Sequence, residues 1–412
     1  MKELRIDYNL KDKLDLYVFI PVVSLILLGL ISIYSATYAN TLAQSNFEKQ
    51  LYFVLAAILI FLIVHFLPTN TFKFISIPSY IFSILLLILV LIIGKKVSGS
   101  KSWIGFGIFS FQPSEFAKIA TILMLSNFLS RNNTQINSFR DILFALAIGF
   151  TPVFLILLEP DMGSSLVYMF LILVLLFKKG ISLFWLIVVI SPAMTAISAI
   201  FGLTTFIVTL IFLLGVLFYL NKDLFLNSSV LALNLAAGFF ADYVFNLLSP
   251  HQQARILSFL DPFSDPLGTG YNSIQSMVAV GSGGLFGKGF MNGNQTQLQY
   301  IPEQWTDFIF CTISEEFGFI GSTLVIILFL VLLIRILKNS SQTKDEFLSL
   351  TQVGIFSVLF IHFFINVGMV IGLVPIIGVP LPFVSYGGSS LITNVIMISI
   401  VTNIYRTRKN YA

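Results

Sequence analysis

The chain has 412 residues, of which 57% are hydrophobic and only 10% charged, with a formal net charge of +4. A soluble domain carries roughly a quarter charged residues, so the composition excludes one and defines an integral membrane protein. Repeated apolar runs that can cross a hydrocarbon core of about 30 Å mark helices rather than barrel strands, and the small positive excess fits membrane topology better than nucleic-acid binding.

The leading stretch MKELRIDYNLKDKLD is too charged for a cleaved signal, so the first apolar run is expected to remain as a span. Apolar runs bounded by turn and charge signals then place spans near 17–36, 48–67, 75–94, 113–130, 142–158, 162–177, 181–200, 203–220, 227–247, 307–334, 348–373 and 388–405. The expected fold is an all-α polytopic helical bundle in one membrane domain, 1–412. The boundary AIFGLTTF is weak, and the hairpin 203–247 rests on NKD at 221–223; ten spans would keep the same parity. With the N-terminus inside, 16 Lys and Arg fall on the cytoplasmic side and 6 outside, while Lys118 lies within a span. The outer side then holds the loop 95–112, the turn EPDMGSS at 159–165, the long loop 248–306 and PIIGVPLPFVSYGG at 375–388. Three outer cations, Lys95, Lys96 and Lys101, sit in the first of these, against the charge rule, as residues do that bind an anion or line a re-entrant segment.

Ionisable groups inside spans are costly unless paired or hydrated, which makes each a functional suspect. Glu115 and Lys118 in QPSEFAK are three apart on one helical face, the spacing of an ion pair that serves either helix packing or a site. In EPD at 159–161, Pro160 breaks the helix, and Asp161 reads equally as an N-cap for the next span. GSGG at 281–284 lacks the lysine and hydroxyl of a phosphate loop and reads as a connector. Asp307 stands at the head of a long apolar run, where the helix dipole favours a carboxylate by about 0.3–1 kcal/mol. Glu315 and Glu316 follow in that run, and at 100° per residue Glu315 lies about 80° from Asp307 and Glu316 about opposite, so only Glu315 could share its side. A span with three acids does not face lipid. The lone cysteine, Cys311, excludes an intrachain disulfide.

The strings KSWIGFGIFSFQPSEFAKIA, EPDMGSS, ARILSFLDPFSDPLGTGYNSIQS, GSGGLFGKGFMNGNQTQLQYIPEQWTDFIF, EEFGFIG and LPFVSYGGSS, in this order over roughly residues 95 to 395, resemble the SEDS family of shape, elongation, division and sporulation proteins. The segment GKGFMNGNQTQLQYIPEQ is similar to the elongation members more than to the division members. The resemblance implies a peptidoglycan glycosyltransferase that polymerises lipid II on the outer face of a bacterial cytoplasmic membrane, beside a class B penicillin-binding protein that crosslinks the strands. It assigns Asp307 as the catalytic base and implies substrate-binding roles for Arg255, Lys118, Glu115, Trp103, Lys101, Glu159, Asp161, Gln275 and Ser385. Arg255, Lys118 and Lys101 are the candidate diphosphate contacts. A divalent cation, Mg²⁺ or Mn²⁺, would suit the departing diphosphate. Two departures stand out. Trp305 replaces the histidine usual two residues before the aspartate, and the interval 181–250 is some 40 residues longer than usual, room for an extra hairpin beyond ten family helices. Division-type or sporulation-type polymerases, a lipid II flippase and a scaffold are the competing readings.

Overall fold

The structure is a computed structural model that describes residues 14–408 apart from 41–42, 98–99, 107–108, 132, 135, 137, 248–252, 254, 256–257 and 260. Lys2, Arg5, Lys11, Lys13 and Lys409 of the charge count lie outside the described residues.

Helices occur at all twelve expected positions: α1 (Leu16–Tyr38), α2 (Gln44–Phe66), α3 (Thr69–Ile93), α4 (Pro113–Leu129), α5 (Phe139–Leu158), α6 (Met162–Lys179), α7 (Leu183–Ile200), α8 (Leu203–Leu220) and α9 (Leu224–Phe239). After the short helices α10 (Ala241–Leu247), α11 (Tyr271–Ser282) and α12 (Asn294–Gln297) come α13 (Ile309–Gln342), α14 (Glu346–Val370) and α15 (Gly388–Thr407). Ten of them are long and apolar enough to cross a membrane by themselves; α4, with 17 residues, and α9, with 16, are shorter. Short polar side chains start several spans as helix caps: Asp15, Ser138, Asp161, Asp223 and Asp345 each accept a bond from a first-turn N–H. Asp15 also receives Arg335 Nε and Asn339 Nδ2 at 2.7 Å each, which ties the foot of α1 to α13.

The structure corrects four expectations. Residues 95–112 are not a plain loop: β1 (Lys95–Val97), β2 (Ser100–Phe106) and β3 (Phe109–Phe111) form an antiparallel sheet in the order β1-β2-β3, with Ile104 opposite Phe111. The expected span 227–247 stops at Phe239 and continues as the separate α10. The expected span 307–334 begins only at Ile309, so Asp307 precedes the helix. That helix is also broken at Gly318, whose φ of 65° and ψ of −157° are open to glycine alone.

The break explains the glycine-rich stretch. Lys288 and Gly289 donate their N–H groups to the carbonyls of Glu315 and Glu316, and Phe319 and Ile320 donate theirs to Gly284 and Leu285, at 2.9–3.2 Å. Backbone freed by the kink is thereby satisfied by protein, the condition for irregular backbone among apolar helices. Glycine at 283 and 287 permits the approach, since a Cβ at either would collide with the Ser314 or Glu316 carbonyl.

At the centre α14 packs against α4, α6, α11, α13 and α15. A separate arm of α7, α8 and α9 packs mainly on itself, around Phe184, Leu213, Leu217 and Val230.

Candidate active site

The ends of α3, α5 and α14 and the beginnings of α4, α6, α13 and α15 meet at one membrane face, where the irregular segment 375–387 crosses between α14 and α15. Asn366, buried on α14, donates to the Asp307 carbonyl and the Val379 carbonyl, both at 2.8 Å. The Ser385 hydroxyl donates to the Thr306 carbonyl at 2.7 Å and accepts from Leu381 N–H at 2.8 Å, and Tyr386 N–H donates to the Trp305 carbonyl at 2.9 Å. Residues 305–307 are thus held by backbone on one side and by buried side chains on the other.

Asp307 is half-buried, and its N-terminal position does not cap the helix, because no side chain bonds the first turn of α13. Gly378, at φ 79°, makes room for it: a Cβ there would stand 3.0 Å from Asp307 Oδ2 and 4.0 Å from Arg255 Nη1. Arg255 is half-buried and donates from Nη1 to the Ile377 carbonyl at 3.1 Å. Burial pushes the Asp307 pKa up to about 6, with the charge of Glu303 adding, that of Arg255 opposing and that of Asp161 adding again. Burial also draws the Arg255 pKa down, against the carboxylates of Asp307 and Asp161. An acid and a guanidinium therefore share one desolvated corner, a pairing suited to taking a proton and facing an anion.

Asp161 caps α6, accepting from Ser164 N at 3.0 Å and Ser164 Oγ at 2.8 Å, and it also accepts from Gln112 Nε2 at 3.2 Å. Its charge still reaches Asp307 and Arg255. Glu159 is fully buried, and burial, then the Asp161 charge, push its pKa up to about 8 with Ser102 opposing, so near neutrality this carboxyl is mainly the neutral acid.

Lys118 lies buried on α4, with Nζ 2.7 Å from Glu115 Oε1 and 3.0 Å from His362 Nε2. His362 Nδ1 is 3.2 Å from the Pro380 carbonyl, which assigns the proton to Nδ1 and leaves Nε2 to accept from the lysine. The trio supports the 375–387 segment from beneath. Lys101 donates from Nζ to the Leu91 and Ile92 carbonyls at 2.7 and 2.9 Å and so terminates α3. Trp103 is half-buried on β2 opposite Lys95, and Gln275 is half-buried on α11.

The helical-wheel relation of Glu315 to Asp307 does not apply, because Asp307 precedes the helix. The Glu315 carboxylate takes Lys288 Nζ at 2.8 Å, the N–H groups of Gln295 and Thr296 at 2.9 and 3.0 Å, and Thr296 Oγ1 at 2.8 Å. Glu316 accepts from Ser35 Oγ and, at 3.5 Å, from Gln297 Nε2. Together the two acids clasp the 288–297 stretch to α13 and α1. Asn366, His362 and Gly378 escaped sequence reasoning. The first two were visible as polar residues four apart in the apolar run IHFFINVG, one helical face that reaches Val379 and Pro380.

These features define a multi-pass helical membrane protein with a polar site at one face. The family model FtsW/RodA/SpoVE, described as cell cycle protein, matches residues 15–206 and 201–410. The chain belongs to this family. It is 34% identical over 392 residues to peptidoglycan glycosyltransferase MrdB of Escherichia coli K12, covering 94% of each chain. It is 35% identical over 404 residues to stage V sporulation protein E of Bacillus subtilis 168, covering 96% of this chain and 98% of that one. Among solved structures, a chain from a peptidoglycan synthase complex that coordinates polymerization and crosslinking superposes with a TM-score of 0.73 at 26% identity, covering 96% of this chain and 98% of that one.

Proposed function

We propose that this protein is a peptidoglycan glycosyltransferase that polymerises lipid II into glycan strands during cell elongation. The observation that carries the reading is the Asp307 corner: a carboxyl group with a pKa near 6, on backbone anchored by Asn366 at the Asp307 carbonyl and by Ser385 at the Thr306 carbonyl, with Arg255 beside it at Gly378. Asp307 accepts the proton of the acceptor sugar's 4-hydroxyl as that oxygen attacks the anomeric carbon of the donor. The bond from this carbon to the diphosphate breaks, and Arg255 faces the departing anion. A base with a pKa near 6 is deprotonated at neutral pH yet basic enough to share a proton in the transition state.

The relatives named as glycosyltransferases support the activity. The elongation role rests on GKGFMNGNQTQLQYIPEQ, since sporulation and division members match at the same level of identity. Likeness to a chain of a complex that couples polymerization to crosslinking supports a class B penicillin-binding protein as partner. The 16 to 6 charge asymmetry supports cytoplasmic termini and an outward-facing site. In this reading residues 1–412 are one membrane domain, with 203–247 an inserted hairpin and 248–306 an extracytoplasmic loop. Among the described residues no three His, Cys, Asp or Glu side chains converge as metal ligands. A Mg²⁺ or Mn²⁺ ion here would take most of its ligands from diphosphate and water, so the steps above use side chains alone.

The test is lipid II polymerisation by the full-length protein with its penicillin-binding partner, read as glycan ladders for wild type and Asp307→Asn. Ladders lost only in the variant, with partner binding intact, support the proposal. Ladders in both remove Asp307 as the base, and ladders in neither, from protein shown to bind lipid II, favour a flippase or scaffold.

A further inference from the structure

At the membrane face opposite the Asp307 site, the beginning of α3, the end of α4 and the beginning of α5 flank an open cavity of about 940 Å³. Among the described residues Lys73, Arg131 and Arg140 line it with a single acid, Asp141, and none of the three cations forms an ion pair with another described residue. The volume lies within the roughly 300–1,000 Å³ of pockets that take a whole small ligand. Both guanidiniums are laid over rings, Arg131 at 6.0 Å from the Phe128 centroid and Arg140 at 5.7 Å from that of Phe144, so their orientation is set before any anion arrives.

The lining is also amphiphilic. Ser130, Asn133 and Thr134 lie with the cations, whereas Phe144 and Ile148 carry the wall up α5 along its apolar length. The walls are fastened: Tyr80 of α3 donates to the Ile148 carbonyl at 2.6 Å, and Asn127 of α4 donates to Ser76 Oγ at 2.6 Å. We infer that this cavity is a binding site for an anionic phospholipid, with the phosphate against Lys73, Arg131 and Arg140 and the first acyl carbons along Phe144 and Ile148. A free phosphate would use the cations and leave the apolar wall bare. Basic pockets between membrane helices take headgroups in this way.

The experiment titrates the purified full-length protein in neutral detergent with phosphatidylglycerol, phosphatidylcholine of the same chains, or glycerol 3-phosphate, reading the unfolding midpoint, and counts retained lipid by native mass spectrometry. Saturable stabilisation by phosphatidylglycerol alone is expected. Its half-saturation should rise about fivefold for Arg140→Gln and roughly a hundredfold for the triple change Lys73→Gln, Arg131→Gln, Arg140→Gln, with the double change Arg131→Lys, Arg140→Lys staying within about fivefold of wild type. Equal effects of phosphatidylcholine, or an unchanged midpoint and lipid count in both Gln variants, would overturn the inference. Saturation by glycerol 3-phosphate at the same concentration would overturn it in favour of a soluble phosphate site.

Discussion

The bundle around α14 and the arm of α7, α8 and α9 are both made of apolar helices, yet they treat polar groups in opposite ways. In their hydrophobic windows α14 and α15 are 67% and 78% buried, whereas α7 and α8 are 17% buried. The buried bundle holds Glu115, Lys118, His362, Asn366, Glu315 and Glu316, all hydrogen-bonded to groups from other segments or from their own turn. The arm's buried polar side chains are neutral: Asn234 donates to Ser191 Oγ and accepts from Thr195 Oγ1, both at 3.0 Å, and Asn227 donates to the Asn221 carbonyl at 2.8 Å. Charge survives in a membrane where neighbouring segments supply partners, and in the bundle each of these groups has one. An arm with most of its surface uncovered is restricted to neutral, self-contained polarity.

The contrast breaks most sharply at Asp307. Asp307→Asn keeps the shape of the side chain and removes the base, and polymerisation should fall by about 10²–10⁴-fold; ladder intensities in a time course measure this, and residual activity above a tenth would remove Asp307 from the chemistry. Next, Glu315→Gln should cost about 2–4 kcal/mol of stability, because Lys288 loses its counter-charge and an amide N–H₂ meets the Gln295 or Thr296 N–H. A lowered unfolding midpoint in detergent would record it, and an unchanged one would show that the clasp is dispensable.

A smaller effect is set by pH. The Asp307 pKa is raised to about 6, and the ionised form is the base, so the rate should be level above pH 7 and fall about tenfold per unit below pH 6. A profile flat down to pH 5 in initial-rate measurements would contradict a base in this environment. Least of all, Asn234→Ala in the arm should cost only about 0.6–1 kcal/mol and leave polymerisation within twofold of wild type. A loss of activity there, without unfolding, would mean that arm and bundle are coupled.

Much of this was legible in the chain. The twelve helices lie where apolar runs and capping residues put them, and NKD at 221–223 does end a helix, with Asp223 accepting from Phe225 and Leu226 N–H. The Glu115 and Lys118 pair follows from spacing alone. What escaped were contacts between distant segments. Nothing local ties Gly378 to Asp307, Glu315 to the 295–296 amides, or GSGGLFGKGF to a break at Gly318. The strands at 95–111 were hidden as well, since three and seven residues are too few for a periodic signal beside long apolar runs.

The sequence by itself determined membrane residence and the approximate positions of the apolar helices, because the cost of burying charge and unsatisfied backbone in hydrocarbon acts residue by residue. Which acids are ringed by donors and which are left without a hydrogen-bonding clasp was decided only by tertiary structure. Asp307 and Glu315 are eight residues apart and chemically alike, but one meets a glycine and a guanidinium, while the other meets an ammonium, two amides and a hydroxyl. A carboxylate surrounded by donors is neutralised and fixed, and one left desolvated without them keeps a raised affinity for a proton.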